Sequence, residues 1–220
     1  MTAKVGVVVF PGSNCEHDVV EAVDAVGGSG ELLWHKDNSV GDVDAVVLPG
    51  GFAHGDYLRT GAMARFSPIM DAVARFAYGG GPVVGICNGF QILTEAQLLP
   101  GALYKNQGLK FLCQPAVLRV ESTSSVLTQG LSVGDELNVP INHFEGNFIC
   151  SEQMLAQLRD NNQIVLTYRD NPNGATADIA GICNENGNVV GLMPHPERAA
   201  HPLLGSTDGA QMLKGLISFD

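Results

Sequence analysis

Apolar residues fall along this chain in short, nearly continuous runs separated by amphipathic stretches. Val5–Phe10 is the first such run, the pattern of a strand buried on both faces, and Pro11-Gly12-Ser13-Asn14 ends it. Ser13 or Asn14 is placed to cap a helix over about 16–26. Strands are expected next at Leu32–Trp34 and Asp44–Leu48, the second ended by Pro49-Gly50-Gly51-Phe52. A helix over about 62–77 follows and, after Gly79-Gly80-Gly81, a strand at Val83–Ile86. Gln91–Leu99 carries apolar residues at helical spacing (Ile92, Leu93, Ala96, Leu99) until Pro100-Gly101 stops it. Strands that alternate with helices in this way imply parallel pairing, with helices on both faces of the sheet.

Beyond residue 100 the pattern turns β-rich, with strands expected at Val117–Glu121, Leu137–Ile141, Ile164–Tyr168, Ile179–Cys183 and Val189–Met193. The last two flank Asn186-Gly187 and read as a hairpin. Helices near 152–160 and from about 209 complete the pattern. No linker, repeat or low-complexity segment divides the chain. The expectation is therefore one domain over 1–220, of α/β class, with an open, mixed but mostly parallel central sheet.

In such a sheet the loops that leave the carboxyl ends of the strands gather on one edge, where ligands bind. Cys87 lies in one of these loops, at a strand-to-helix turn with Gly85 and Gly89 two residues to either side. That is the geometry of a nucleophile elbow, with sulfur in place of a serine oxygen. A free thiol has a pKa of about 8.5, and a helix N-terminus favours its ionised, nucleophilic form. The backbone N–H of Asn88 then points where an oxyanion forms, and the Gly51-Phe52 stretch is the natural source of a second donor. After the last strand comes Pro194-His195-Pro196-Glu197. Extended geometry between the prolines would set the His195 and Glu197 α-carbons ~6.5–7 Å apart on one side of the chain. The carboxylate could then orient the imidazole toward Cys87, giving a Cys-His-Glu triad.

Composition narrows the chemistry. Twelve Lys and Arg against 23 Asp and Glu give a net charge of −11 with no basic run, which argues against nucleic acid as a partner. Neither GxxxxGK[ST] nor GxGxxG occurs, so no nucleotide cradle is expected. The five cysteines include no CxxC pair, so neither a disulfide framework nor a metal site is suggested. No stretch approaches the roughly 18 apolar residues that span a bilayer, and no secretory signal is evident, so a cytoplasmic location is expected.

Gly85-Ile86-Cys87-Asn88-Gly89-Phe90-Gln91 with a downstream His195-Pro196-Glu197 resembles the triad-type (class I) glutamine amidotransferases. Further segments narrow the likeness: Phe10-Pro11-Gly12-Ser13-Asn14-Cys15, Gly55-Asp56-Tyr57-Leu58-Arg59, Asn171-Pro172-Asn173-Gly174 and Met193–Ala199 are similar to the glutaminase subunits of phosphoribosylformylglycinamidine synthases. The likeness covers nearly the whole chain. It implies a flavodoxin-like fold in which Cys87 attacks the carboxamide of L-glutamine, His195 and Glu197 move the protons, and Asn88 and Gly51-Phe52 hold the oxyanion. Gln91, Asn106 and His143 would hold the substrate. It also implies that ammonia passes to a separate synthetase subunit, which uses ATP and magnesium, in a complex with a third small subunit; no cofactor is implied for this chain itself. The family usually reads Ala-His-Gly-Glu-Gly where this chain has Asn142-His143-Phe144-Glu145-Gly146, and often has arginine at the position of Gln114. Two other readings of the same residues are a stand-alone cysteine hydrolase, such as a peptidase or γ-glutamyl hydrolase, and a non-catalytic scaffold in which Cys87 only packs.

Overall fold

The computed structural model describes residues 2–218; Met1, Phe219 and Asp220, the ends of the domain expected over 1–220, lie outside the described residues. The first half contains β1 (Lys4–Val9), α1 (Glu16–Ala25), β2 (Ser29–Trp34), β3 (Ala45–Leu48), α2 (Pro68–Tyr78), β4 (Val83–Ile86) and α3 (Asn88–Glu95). The second contains β5 (Ala102–Tyr104), β6 (Leu112–Val120), β7 (Glu136–His143), β8 (Asn147–Ile149), α4 (Glu152–Asp160), β9 (Ile164–Tyr168), β10 (Ile179–Cys183), β11 (Val189–Leu192) and α5 (Asp208–Ile217). Nine strands join in the order β2-β1-β3-β4-β11-β10-β9-β6-β7, and β5 pairs with β8 separately.

From β2 to β11 every neighbour is parallel, and from β11 to β7 every neighbour is antiparallel. The parallel half has the strand order of flavodoxin-like sheets, whose ligand crevice lies where the order reverses. Apart from the edge strand β2, its strands are the continuous apolar runs of the sequence: Val5, Val7, Val46, Val84 and Val190 are fully buried, as strands covered on both faces must be. Because β1, β3, β4 and β11 run side by side in one direction, the loops that begin near Pro11, Pro49, Cys87 and Met193 emerge on the same edge.

Several boundaries differ from the sequence reading, each for a local reason. The helix expected over 62–77 is a 3₁₀ turn at Ala64–Phe66 followed by α2, because Pro68 fits only the first turn of a helix and so starts a new one. The helix expected over Gln91–Leu99 begins earlier, at Asn88, and ends at Glu95; Gln97 turns left-handed at φ 60° and the Leu98 and Leu99 N–H groups fold back onto the Leu93 carbonyl. Neither Ser13 nor Asn14 caps α1. Cys15 holds the cap position, and the Ser13 hydroxyl accepts from Phe10 N–H. The strands expected at Val117–Glu121 and Leu137–Ile141 are longer, and β6 begins before Pro115, which interrupts the apolar pattern but is accommodated opposite Pro140 in the β6–β7 register. The short β5 and β8 carry no sequence signal of their own.

Candidate active site

The elbow is formed by close packing of backbone. Cys87 has φ 52° and ψ −103°, a strained conformation for a residue with a side chain. It is held by Cys87 N–H donating to the Leu192 carbonyl at 2.8 Å, which ties β4 to β11 at the turn. A β-carbon on Gly85 would come within 2.6 Å of the Gly89 backbone, and one on Gly89 would overlap the Leu48 carbonyl, so α3 approaches the sheet only because both side chains are missing. Asn88 begins α3, and its N–H belongs to the first turn, where helix donors have no partner within the helix.

His195 and Glu197 meet as the sequence suggests, but by a different path. The chain is not extended there: His195 leads into a 3₁₀ turn at Pro196–Ala199, into whose first position Pro196 fits. His195 Nδ1 lies 2.6 Å from Glu197 Oε1, with the two side chains 2% and 0% exposed. Burial by itself would pull the His195 pKa down; the Glu197 carboxylate, and behind it the Cys87 and Cys15 thiols, more than reverse this and hold it well above the ordinary value. The Nε2 atom is buried without a partner among the described residues. Strand β7 closes the arrangement from the antiparallel half of the sheet. His195 N–H donates to the Pro140 carbonyl at 2.8 Å, and Cys87 Sγ lies 3.6 Å from the Asn142 carbonyl.

Cys87, His195 and Gly51 line one cleft of about 560 Å³ with Gln91, His143, Glu145 and Asp56 among its other walls. The loop after β3 corrects one expectation. Phe52 N–H is committed to the Gly12 carbonyl at 2.8 Å, because this loop pairs with the loop after β1 at Ser13 and Gly51. Gly51 N–H has no partner among the described residues, and Gly51 lines the cleft.

The expected substrate-binding residues have different places. Gln91 lines the cleft, but its amide is engaged at both ends: Nε2 donates to the Glu145 carbonyl at 2.6 Å and Oε1 accepts from Asn88 Nδ2 at 2.9 Å. Asn88 Oδ1 in turn accepts from Ala53 N–H, so a chain of amides joins the β3 loop, the elbow and the loop after β7. Asn106 stands behind the wall, buried, with every polar position used. Its Nδ2 donates to the Lys110 and His143 carbonyls, and its Oδ1 accepts from Gly146 N–H and faces His143 Nδ1 at 3.1 Å. His143 lines the cleft with Nε2 unpartnered; burial first, and then the charge of His195, lower its pKa to about 4.

Sequence reasoning missed three participants. Cys15, His195 and Glu197 bring polar atoms within 4.8 Å of one another, and Arg198 Nη2 is 3.2 Å from Cys15 Sγ. Position at the carboxyl end of β1 was the available signal for Cys15. Asp56 and Glu145 form an acidic wall, where burial and then Glu145 raise the Asp56 pKa to about 6 and Asp56 Oδ1 has no partner. The family likeness covers both segments, but local pattern gives neither carboxylate a role, since they come together only through folding. The departure at Phe144 also lies in the cleft wall, whereas Gln114 is exposed on β6, opposite Ile141.

The family model described as CobB/CobQ-like glutamine amidotransferase domain matches residues 2–214. A phosphoribosylformylglycinamidine synthase subunit PurQ from Koribacter versatilis is 52% identical over 224 residues, covering 97% of each chain. The protein of the same name from Rubrobacter xylanophilus is 52% identical over 215 residues, covering 98% of each. Among solved structures, a chain of "Structure of PurLQS from Thermotoga maritima" superposes with a TM-score of 0.91 at 39% identity, covering 98% of both chains. With strand order, elbow and near-complete coverage in agreement, the chain belongs to the PurQ family, the glutamine amidotransferase subunits of phosphoribosylformylglycinamidine synthase.

Proposed function

We propose that this chain hydrolyses L-glutamine at Cys87 and hands the ammonia to a synthetase subunit that converts formylglycinamide ribonucleotide to formylglycinamidine ribonucleotide in purine biosynthesis. The observation that carries the reading is the buried His195–Glu197 pair, 2.6 Å apart, beside a strained elbow cysteine. Glu197 occupies Nδ1, so Nε2 is the nitrogen left to take the thiol proton. As sulfur bonds to the carboxamide carbon, charge develops on oxygen, and Asn88 N–H and Gly51 N–H hold it. His195 returns the proton to nitrogen, the C–N bond breaks, and ammonia leaves a γ-glutamyl thioester. His195 then deprotonates water, which attacks the thioester; glutamate departs and the thiol is restored. Asp56 and Glu145 supply the negative wall for the α-ammonium of the substrate. Gln91, in the cleft wall, and Asn106, behind it, fix the loop that carries His143 and Glu145.

The synthetase, using ATP and magnesium, and a third small subunit complete the complex. Phe52, Leu58 and Tyr104 line the cleft and are 47%, 83% and 60% exposed, an apolar rim suited to a protein partner. Among the described residues no helix is long and apolar enough to cross a membrane, and the reading places the complex in the cytoplasm. The test is covalent labelling with a glutamine-mimicking diazoketone followed by peptide mapping. One adduct on Cys87, prevented by excess glutamine, is the expected result; labelling elsewhere, or labelling that glutamine does not prevent, refutes it. In the assembled complex, Cys87→Ser abolishes glutamine-dependent synthesis and leaves ammonia-dependent synthesis, and loss of both overturns the transfer model.

A further inference from the structure

His143 is a cleft residue whose chemistry is fixed by its surroundings. Asn106 Nδ2 is turned toward two carbonyls, those of Lys110 and His143, so its Oδ1 must face the imidazole and can only accept. The proton of the neutral ring therefore sits on Nδ1, and Nε2 is a bare lone pair. Burial and the neighbouring charge of His195 keep the ring neutral. The ring cannot turn away: a β-carbon on Gly146 would overlap it, which shows how closely the backbone of the 143–146 loop packs on its face. Nε2 is thus a buried acceptor, 3% exposed as a residue, with no donor among the described residues. An acceptor left in this state loses the free energy of a hydrogen bond unless a ligand supplies the donor.

The ligand that reacts here supplies one. The carbon attacked by Cys87 carries an oxygen and an NH2. In the proposed reaction the oxygen is held by the donors of α3 and the β3 loop, which would leave the nitrogen toward the wall built by β7, the strand that places its Asn142 carbonyl 3.6 Å from the sulfur. We propose that His143 Nε2 accepts a hydrogen bond from the leaving nitrogen of the carboxamide and then from the released ammonia, making His143 the residue that selects an amide over an ester or acid at this site. The proposal rests on the glutaminase reading above. No proton is transferred to His143: the proton that completes ammonia comes from His195, and His143 only holds N–H groups in place while the C–N bond breaks.

The test compares two substrates that differ at the leaving atom, using the chain assembled with its synthetase and measuring glutamate release. L-Glutamine has N–H groups to donate; the γ-methyl ester of L-glutamate has none. For His143→Leu, kcat/KM for glutamine is expected to fall about tenfold or more while that for the ester stays within about threefold, so the amide-to-ester ratio collapses. His143→Gln, which restores an acceptor, recovers part of the ratio. His143→Met repeats the measurement if the leucine chain does not fold. Equal losses on both substrates would show a structural role and overturn the proposal, as would an unchanged rate on glutamine. Absence of glutamine hydrolysis by the unsubstituted complex would instead defeat the glutaminase reading itself.

Discussion

Replacing Glu197 with glutamine removes one charge from the most buried ion pair of the described residues and leaves the volume nearly unchanged. The bond it breaks is 2.6 Å long between groups that are 2% and 0% exposed, so solvent screens it little. A hydrogen bond to a charged group contributes about 1.5–3 kcal/mol, and about 1.4 kcal/mol corresponds to a factor of ten. If the whole of that contribution stabilises the imidazolium of the transition state, Glu197→Gln slows glutamine hydrolysis roughly 10- to 150-fold. A second effect adds to the first. The glutamine amide can turn its N–H toward Nδ1, which forces the proton onto Nε2 and removes the base that faces the thiol. Because Glu197 raises the His195 pKa, its loss lowers that value and weakens the imidazolium that stabilises a Cys87 thiolate. Steady-state glutaminase assays of the assembled complex, with iodoacetamide labelling of Cys87 near neutral pH, measure both effects. The expected result is a fall in kcat and slower alkylation, with a lowered thermal midpoint in a chain that still folds, because the buried pair is lost. A kcat within about threefold of the parent in a folded variant would mean that Glu197 does not orient His195, and the triad assignment would fail.

At the elbow, Gly89→Ala must push α3 away from the Leu48 carbonyl; overpacking of this kind costs about 1–3 kcal/mol, seen as a thermal midpoint lower by several degrees together with loss of glutaminase activity. An unchanged midpoint would show that α3 does not depend on this contact. Asp56→Asn removes a carboxylate from the wall proposed to receive the α-ammonium, and the KM for glutamine rises about tenfold with kcat little changed. A fall confined to kcat would remove Asp56 from ground-state binding. His143 titrates near 4 in the fold and 6.5 when exposed, so between these values the unfolded chain binds the extra proton and the stability His143 contributes falls as pH drops. The slope is at most about 1.4 kcal/mol per pH unit. Urea midpoints of the parent and of His143→Met, compared near pH 7 and near pH 5, isolate this contribution from the opposing ones of Asp56 and His195, and a pH-independent difference would refute the buried neutral ring.

The parallel half of the sheet, save its edge strand β2, was legible because β1, β3, β4 and β11 are covered on both faces, which writes them into the sequence as unbroken runs such as Val5–Phe10 and Val83–Ile86. The elbow was legible for a related reason: only glycine fits where backbone meets backbone, so Gly85 and Gly89 mark Cys87 locally. Local rules also limited the reading. Pro115 looks like a break, yet stands inside β6 opposite Pro140; the His195–Glu197 geometry looks extended, yet is made by a 3₁₀ turn. What tertiary structure alone decided is which side chains share the cleft. Strand β7 stands at the far end of the pairing order from β2, yet its Pro140 and Asn142 carbonyls hold His195 and reach Cys87. Asn106 fixes the tautomer of His143 across 37 positions of sequence, and Asp56, from the loop after β3, shares a cleft wall with Glu145, from the loop after β7. The sequence singled out Cys87 and His195, the proposed nucleophile and base, since backbone geometry at a turn constrains nearby residues. The acceptors, the acidic wall and the commitment of Phe52 N–H came from contacts between distant segments, which no local pattern encodes.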